Sequence, residues 1–92
     1  MTDAERVVRY VNSIRAVLSD LSADRRSQLS AETLAVLDTA ERYSEDAEHY
    51  SSSGDLSTAL ACVSYAEGLL DALRFLRIVD FGWPSPRSAV ID

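Results

Sequence analysis

Apolar positions along the chain recur at three- and four-residue intervals in three segments, and no segment alternates apolar and polar residues as a half-buried strand does. In the first segment Val7, Val11, Ile14, Leu18 and Leu21 form a seam of a/d type, widened on one side by Tyr10 and Val17. Thr2 followed by Glu5 is a capping box, so the first helix is expected from about residue 3 to 22. The opposite face carries Glu5, Arg9, Asn12, Ser19 and Asp20. The stretch from Ser22 to Ser30 is polar and reads as a loop with room for one helical turn.

Ser30 suits an N-cap, Glu32 suits the first turn after it, and Leu29 and Leu34 stand at the two positions of a hydrophobic staple. These signals predict a second helix over 31–53, with Val36, Ala40, Tyr43, Ala47 and Tyr50 as its seam and Leu34 and Leu37 beside it. The seam is poor in branched aliphatics, so close approach and ring packing are expected to replace bulk. Gly54 suits the left-handed position after a helix and Asp55 the cap before the next. A connection this short makes the two helices antiparallel neighbours.

The third helix is expected as one unbroken rod over 56–80. Leu56, Ala59, Leu60, Val63, Ala66, Leu70, Leu73 and then Leu76 or Arg77 trace one face. Ala61, Tyr65, Gly68, Ala72 and Phe75 trace a second. Ser64, Glu67, Asp71 and Arg74 leave only a narrow polar stripe, so this helix needs cover on more than one side, from two neighbours or from a dimer partner. Gly82, Pro84 and Pro86 stop the helix, and 81–92 is expected to be an irregular tail. Phe81 and Trp83 are expected to fold back onto the bundle, with Val90 and Ile91 docked or frayed. The fold class is all-α, an antiparallel up-and-down three-helix bundle forming a single domain.

Composition narrows the function classes. The chain has 92 residues, a net charge of −6, 47% hydrophobic residues and 26% charged residues, which suits a packed core rather than disorder. Its nine basic residues are all arginine. Acid excess without lysine suggests a salt-rich cytoplasm, since carboxylates hold water and cations, although a GC-rich genome also favours arginine and aspartate. The acidic balance makes nucleic acid a poor partner. No run of about 18 apolar residues suggests a membrane span, and Met1-Thr2-Asp3-Ala4-Glu5 lacks the apolar core of a signal peptide. Cys62, the one cysteine, builds no disulfide framework, faces an apolar stripe and is expected to be a buried small hydrophobe.

Candidate chemistry is sparse. Glu45 and His49 are spaced i,i+4 as two ligands of one metal would be, but one histidine among carboxylates better fits a solvated acidic face, and neither metal nor cofactor is assigned. Arg42 and His49 match the loose R-x(4–6)-H spacing of HEPN ribonuclease domains, yet Glu45, Asp46 and Glu48 between them would repel a phosphate. The chain has no G-x-S-x-G elbow and no glycine-rich phosphate loop, and no catalytic residue is assigned. Gly68 is informative because glycine inside a helix costs about 1 kcal/mol against alanine. It is expected where another backbone or a ring, Tyr43 or a second chain, comes close.

The run from Tyr43 to Tyr50, then Gly54-Asp55-Leu56 and Ala59, resembles a tetratricopeptide turn, but one such unit makes no solenoid. A closer likeness covers Tyr43 to Leu76. Tyr43, Asp46, Ala47 and Tyr50, then Gly54, Asp55 and Ala59, then Tyr65, Ala66, Gly68, Leu70, Asp71 and Ala72 together resemble the pattern of a small archaeal family called domain of unknown function 357. That family's glycine shortly after the last motif has no counterpart among Arg74-Phe75-Leu76. The resemblance implies an archaeal cytoplasmic three-helix bundle and no known activity, and it marks Asp46, Tyr50, Tyr65, Gly68 and Asp71 as candidate binding residues. Two functions are expected from the whole. One is a non-enzymatic interaction or assembly module, as a homodimer or with another protein. The other is a nucleotide- or small-molecule-binding accessory domain of HEPN or nucleotidyltransferase-associated type, with a pocket where Asp46, Tyr65 or Asp71 meets Arg42.

Overall fold

The computed structural model describes residues 1–21 and 23–84. Three long helices, α1 (Asp3–Asp20), α3 (Ala31–Ser52) and α4 (Leu56–Phe75), are joined by a single-turn helix, α2 (Ala23–Arg26), and a tight turn. The described residues contain no strand. The architecture is all-α.

The capping box forms as expected: Glu5 N–H donates to Thr2 Oγ1 and Thr2 N–H donates to Glu5 Oε1, both at 3.1 Å. Val7, Val11, Ile14, Leu18 and Leu21 are all buried, and so is Val17. α1 ends at Asp20, with Leu21 turning into extended backbone. Its last turn holds no basic residue, and Arg26 from α2 supplies one, donating to the Leu18 carbonyl at 2.8 Å. The one helical turn expected in the first loop is α2.

α3 matches its expected span to within a residue, with Ser30 Oγ accepting from Thr33 N–H at 3.1 Å. Its core seam differs from the expected one. Thr33, Leu37, Ala40, Ser44 and Ala47 are buried, whereas Val36 is half-buried and Tyr43 and Tyr50 are each 37% exposed. Small residues along the inner seam draw α3 close to its neighbour and leave no room for rings, which stand at the edge of the contact. Ser44 sits 1% exposed in that seam because its hydroxyl donates to the Glu41 carbonyl at 2.7 Å.

A Schellman turn closes α3. Gly54 takes φ +86°, its N–H donates to Ser51 O at 3.1 Å, and Asp55 N–H donates to Tyr50 O at 2.9 Å. Asp55 then caps α4, accepting from Thr58 N–H at 3.2 Å. Ala59, Cys62, Val63, Ala66, Leu70 and Leu73 are the buried face of α4.

α4 ends at Phe75, five residues before the expected Asp80, so the rod over 56–80 is corrected. Leu76 is the C-cap and Arg77 takes φ +60°; Arg77 N–H donates to Arg74 O and Ile78 N–H to Leu73 O, both at 3.0 Å. This second Schellman turn sends the chain back over the bundle. Val79 and Phe81 are buried, Trp83 is half-buried, and the last two rings meet edge to face at 5.2 Å. Leu76, placed on the inner face by periodicity, is 69% exposed because the helix has already stopped. Val90, Ile91 and the rest of 85–92 lie outside the described residues.

Arg15 on α1 pairs with Glu48 on α3, Tyr43 on α3 meets Tyr65 on α4, and Gly82 and Pro84 lie beside Ala16, Val17 and Asp20. These pairings are compatible with the expected up-and-down order.

Candidate functional site

The α3–α4 turn sets the register of the candidate residues. Positions equidistant from it meet across the hairpin, and the Tyr43 and Tyr65 rings lie edge to face with centroids 4.6 Å apart. Asp46, one turn nearer the connection, is exposed and lies close enough to Cys62 to act on it. Burial pushes the Cys62 thiol up from its ordinary range, and the negative charges of Asp46 and Asp55 push it further. A thiol so placed stays protonated, as befits a buried small hydrophobe.

Arg42, Tyr43, Glu45 and Asp46 line a surface cleft on α3. Arg42 and Asp46 border the same cleft as residues four apart on one helix do; Tyr65 is not among its lining residues and touches Tyr43 alone of them. Asp71 does not join them. It sits near the far end of α4, accepts from Trp83 Nε1–H at 2.8 Å and from the Arg74 guanidinium at 3.2 Å on one carboxylate oxygen, and so ties the returning tail to the helix. The Arg74 guanidinium in turn lies 4.7 Å from the Phe75 ring centroid and 5.8 Å from that of Phe81.

Tyr50 stands beside His49, ring centroids 5.4 Å apart, at the turn end of α3. His49 is not part of the Arg42 cleft. Among the described residues no group of three His, Cys, Asp or Glu side chains is placed to hold a metal ion. With two carboxylates against one guanidinium, the cleft disfavours an anion such as phosphate.

Gly68 is corrected in its surroundings. A Cβ added there would meet nothing within 4 Å among the described residues outside its own helix turn, so Tyr43 does not approach it. It lies in the middle of the exposed face of α4, whose positions are Ala61, Tyr65, Gly68, Ala72 and Phe75, with Ser57 and Ser64 at its edge. None of these is charged. Glu67, Asp71 and Arg74 flank the face, half-buried. Tyr65 is 50% exposed, and Phe75 and Leu76 are each 69% exposed. By length and composition alone α4 is apolar enough to cross a membrane; only 33% of that window is buried within the chain.

The face was visible as a four–three spacing in the sequence. Its exposure was not, because two neighbouring helices can cover either of two apolar faces. Ala61 and Phe75 lie outside the family pattern, and Ala72, which lies within it, is not among the candidate binding residues that the resemblance marks.

No curated protein and no solved structure matches the chain. The family model described as Protein of unknown function (DUF357) matches residues 9–79, which takes in α2, α3, α4, most of α1 and the second Schellman turn. The chain belongs to that family.

Proposed function

We propose that this protein is a non-enzymatic interaction module that docks a protein partner on the outer face of α4, in a salt-rich archaeal cytoplasm. The carrying observation is the absence of charge from that face in a chain that is 26% charged. Exposed positions on α1 and α3 carry Asp3, Glu5, Arg9, Arg15, Glu32, Asp38, Glu41 and Glu45, as a solvated helix should. Those on α4 carry two rings, two alanines, a glycine and two hydroxyls. Contiguous apolar surface of this kind, rimmed by polar residues, marks protein–protein contact. The lysine-free acidic composition supports the salt-rich setting.

The test is capture from a high-salt lysate with three baits: the wild-type chain, Ala72→Arg, and Asn12→Arg as an exposed control on α1. A species retained by the wild type and by Asn12→Arg but lost with Ala72→Arg is the expected result. An unchanged catch with Ala72→Arg overturns the reading. A thermal shift with any nucleotide would instead favour a small-molecule role for the Asp46 cleft.

A further inference from the structure

We propose that the occupant of the α4 face is a second copy of this chain, with the two α4 helices antiparallel and their Gly68 residues at the crossing. The proposal rests on reading that face as a docking surface, and it adds what docks there.

The first argument is self-complementarity. Counting outward from Gly68, Ala61 lies seven residues before and Phe75 seven after, while Tyr65 lies three before and Ala72 four after. Reversing one helix about Gly68 sets each Phe75 opposite an Ala61 and leaves each Tyr65 one residue out of step with an Ala72 on the same side of the crossing; the position in register with Tyr65 is Asp71, whose carboxylate is bound to Trp83 and Arg74 of its own chain. Each Phe75 then meets an alanine, each Tyr65 lies beside one, and glycine meets glycine. An interface between two copies related by a two-fold axis needs this reciprocity, in which residue i meets j and j meets i. A partner of different sequence has no need of it.

The second argument is Gly68 itself. Glycine weakens a helix relative to alanine. Among the described residues nothing outside its own helix turn lies within 4 Å of where its Cβ would be. Close passage of a second backbone uses that empty place.

The third is charge. Two chains of net charge −6 repel, and a helix face without charges is where they approach at least cost. Antiparallel order also sets the C-terminal end of one α4 toward the N-terminal end of the other, so opposite helix-dipole ends are neighbours. Tyr65 is already braced by Tyr43 at 4.6 Å, which limits the side-chain entropy lost on docking.

Sedimentation equilibrium in molar salt tests the association, and disulfide cross-linking tests the order. The wild-type chain is expected to reach dimer mass as concentration rises. Ala72→Arg is expected to weaken the association by about tenfold or more, since it sets a buried charge against a ring. Gly68→Ala is expected to keep the fold and at least the wild-type thermal midpoint while weakening the dimer, so the test survives if Ala72→Arg fails to fold. Mixed Ala61→Cys and Phe75→Cys chains are expected to cross-link faster than either alone, with the wild type as the control for Cys62. A wild-type monomer at every concentration overturns the proposal. So does preferential cross-linking of Ala61→Cys chains to one another, which indicates parallel order. If the wild type is monomeric yet the lysate still yields another protein that Ala72→Arg loses, this inference fails and the interaction module stands. If Ala72→Arg loses nothing, both fail.

Discussion

Among the described residues, two occupy the left-handed position after a helix, and they differ in how well they suit it. Gly54 at φ +86° adopts it without a Cβ penalty, while Arg77 at φ +60° does not. Both turns make the same pair of backbone hydrogen bonds, so the difference is in the residue. Arg77→Gly is expected to stabilise the chain by about 1 kcal/mol, read as a higher urea midpoint at unchanged slope; a lower midpoint would mean that the arginine side chain outweighs the backbone cost. Gly68→Ala is expected to stabilise the dilute, monomeric chain by about 1 kcal/mol, since the added methyl meets open space. Cys62 sets a pH limit. Its pKa is raised in the fold above the unfolded value by burial and by Asp46 and Asp55. The unfolded chain therefore loses the proton first as pH rises. The contribution is fully present below the unfolded thiol's pKa and is lost as pH climbs through that value to the folded one. Urea midpoints are expected to fall above about pH 9, and Cys62→Ser is expected to flatten that fall. Gly54 was legible in the sequence because glycine before a capping aspartate is a turn signal; Arg77 was not, because arginine has no preference for left-handed backbone.

Helix elements were legible in proportion to the bulk of their seams. The seam of α1 is valine, isoleucine and leucine, whose burial outweighs any alternative face, and all five of its positions are buried. The seam of α3 is Thr33, Leu37, Ala40, Ser44 and Ala47, in which small residues carry little hydropathy signal, so the larger Tyr43 and Tyr50 drew the reading one position aside. The early end of α4 was hidden for a related reason. Val79 and Phe81 continue an apolar pattern and are buried, but they reach the core from a chain that has turned back at Arg77. That returning segment is held by the burial of Val79 and Phe81 and by the bond from Trp83 Nε1–H to Asp71, whose same oxygen also accepts from Arg74. Asp71 was legible as a candidate residue but its partner was not, since a tail twelve residues away gives no periodic signal. Asp71→Ala is expected to free the indole N–H, shift the emission of the only tryptophan to longer wavelength and cost about 1 kcal/mol, a charged hydrogen bond discounted for its partial exposure. An unshifted spectrum would show that the packing of Trp83 against Phe81, rather than Asp71, holds the tail.

For the whole molecule, charge and apolar surface act against each other, and salt decides between them. The chain carries −6 overall, and most of its exposed acids among the described residues lie on α1 and α3. The uncharged face of α4 favours association, but bringing two such chains together sums their repulsion. At about 0.1 M salt the screening length is about 10 Å, comparable to the spacing of packed helices, so that repulsion reaches across the crossing. At about 1 M it shrinks to about 3 Å, and the repulsion fades while apolar burial persists. Self-association is therefore expected to strengthen as salt rises from 0.1 to 1 M, by severalfold in the dissociation constant, measured by sedimentation equilibrium at fixed temperature. An interface held mainly by ion pairs would respond in the opposite sense, and a strengthening with dilution of salt would refute an apolar α4 contact. The thermal midpoint of the dilute monomer is expected to rise over the same range, because intramolecular repulsion among carboxylates is screened as well. Ala72→Arg separates the two effects: it should retain the salt-dependent gain in midpoint while losing the salt-dependent dimer, since the charge it adds stands on the docking face and leaves the acidic surfaces of α1 and α3 as they were.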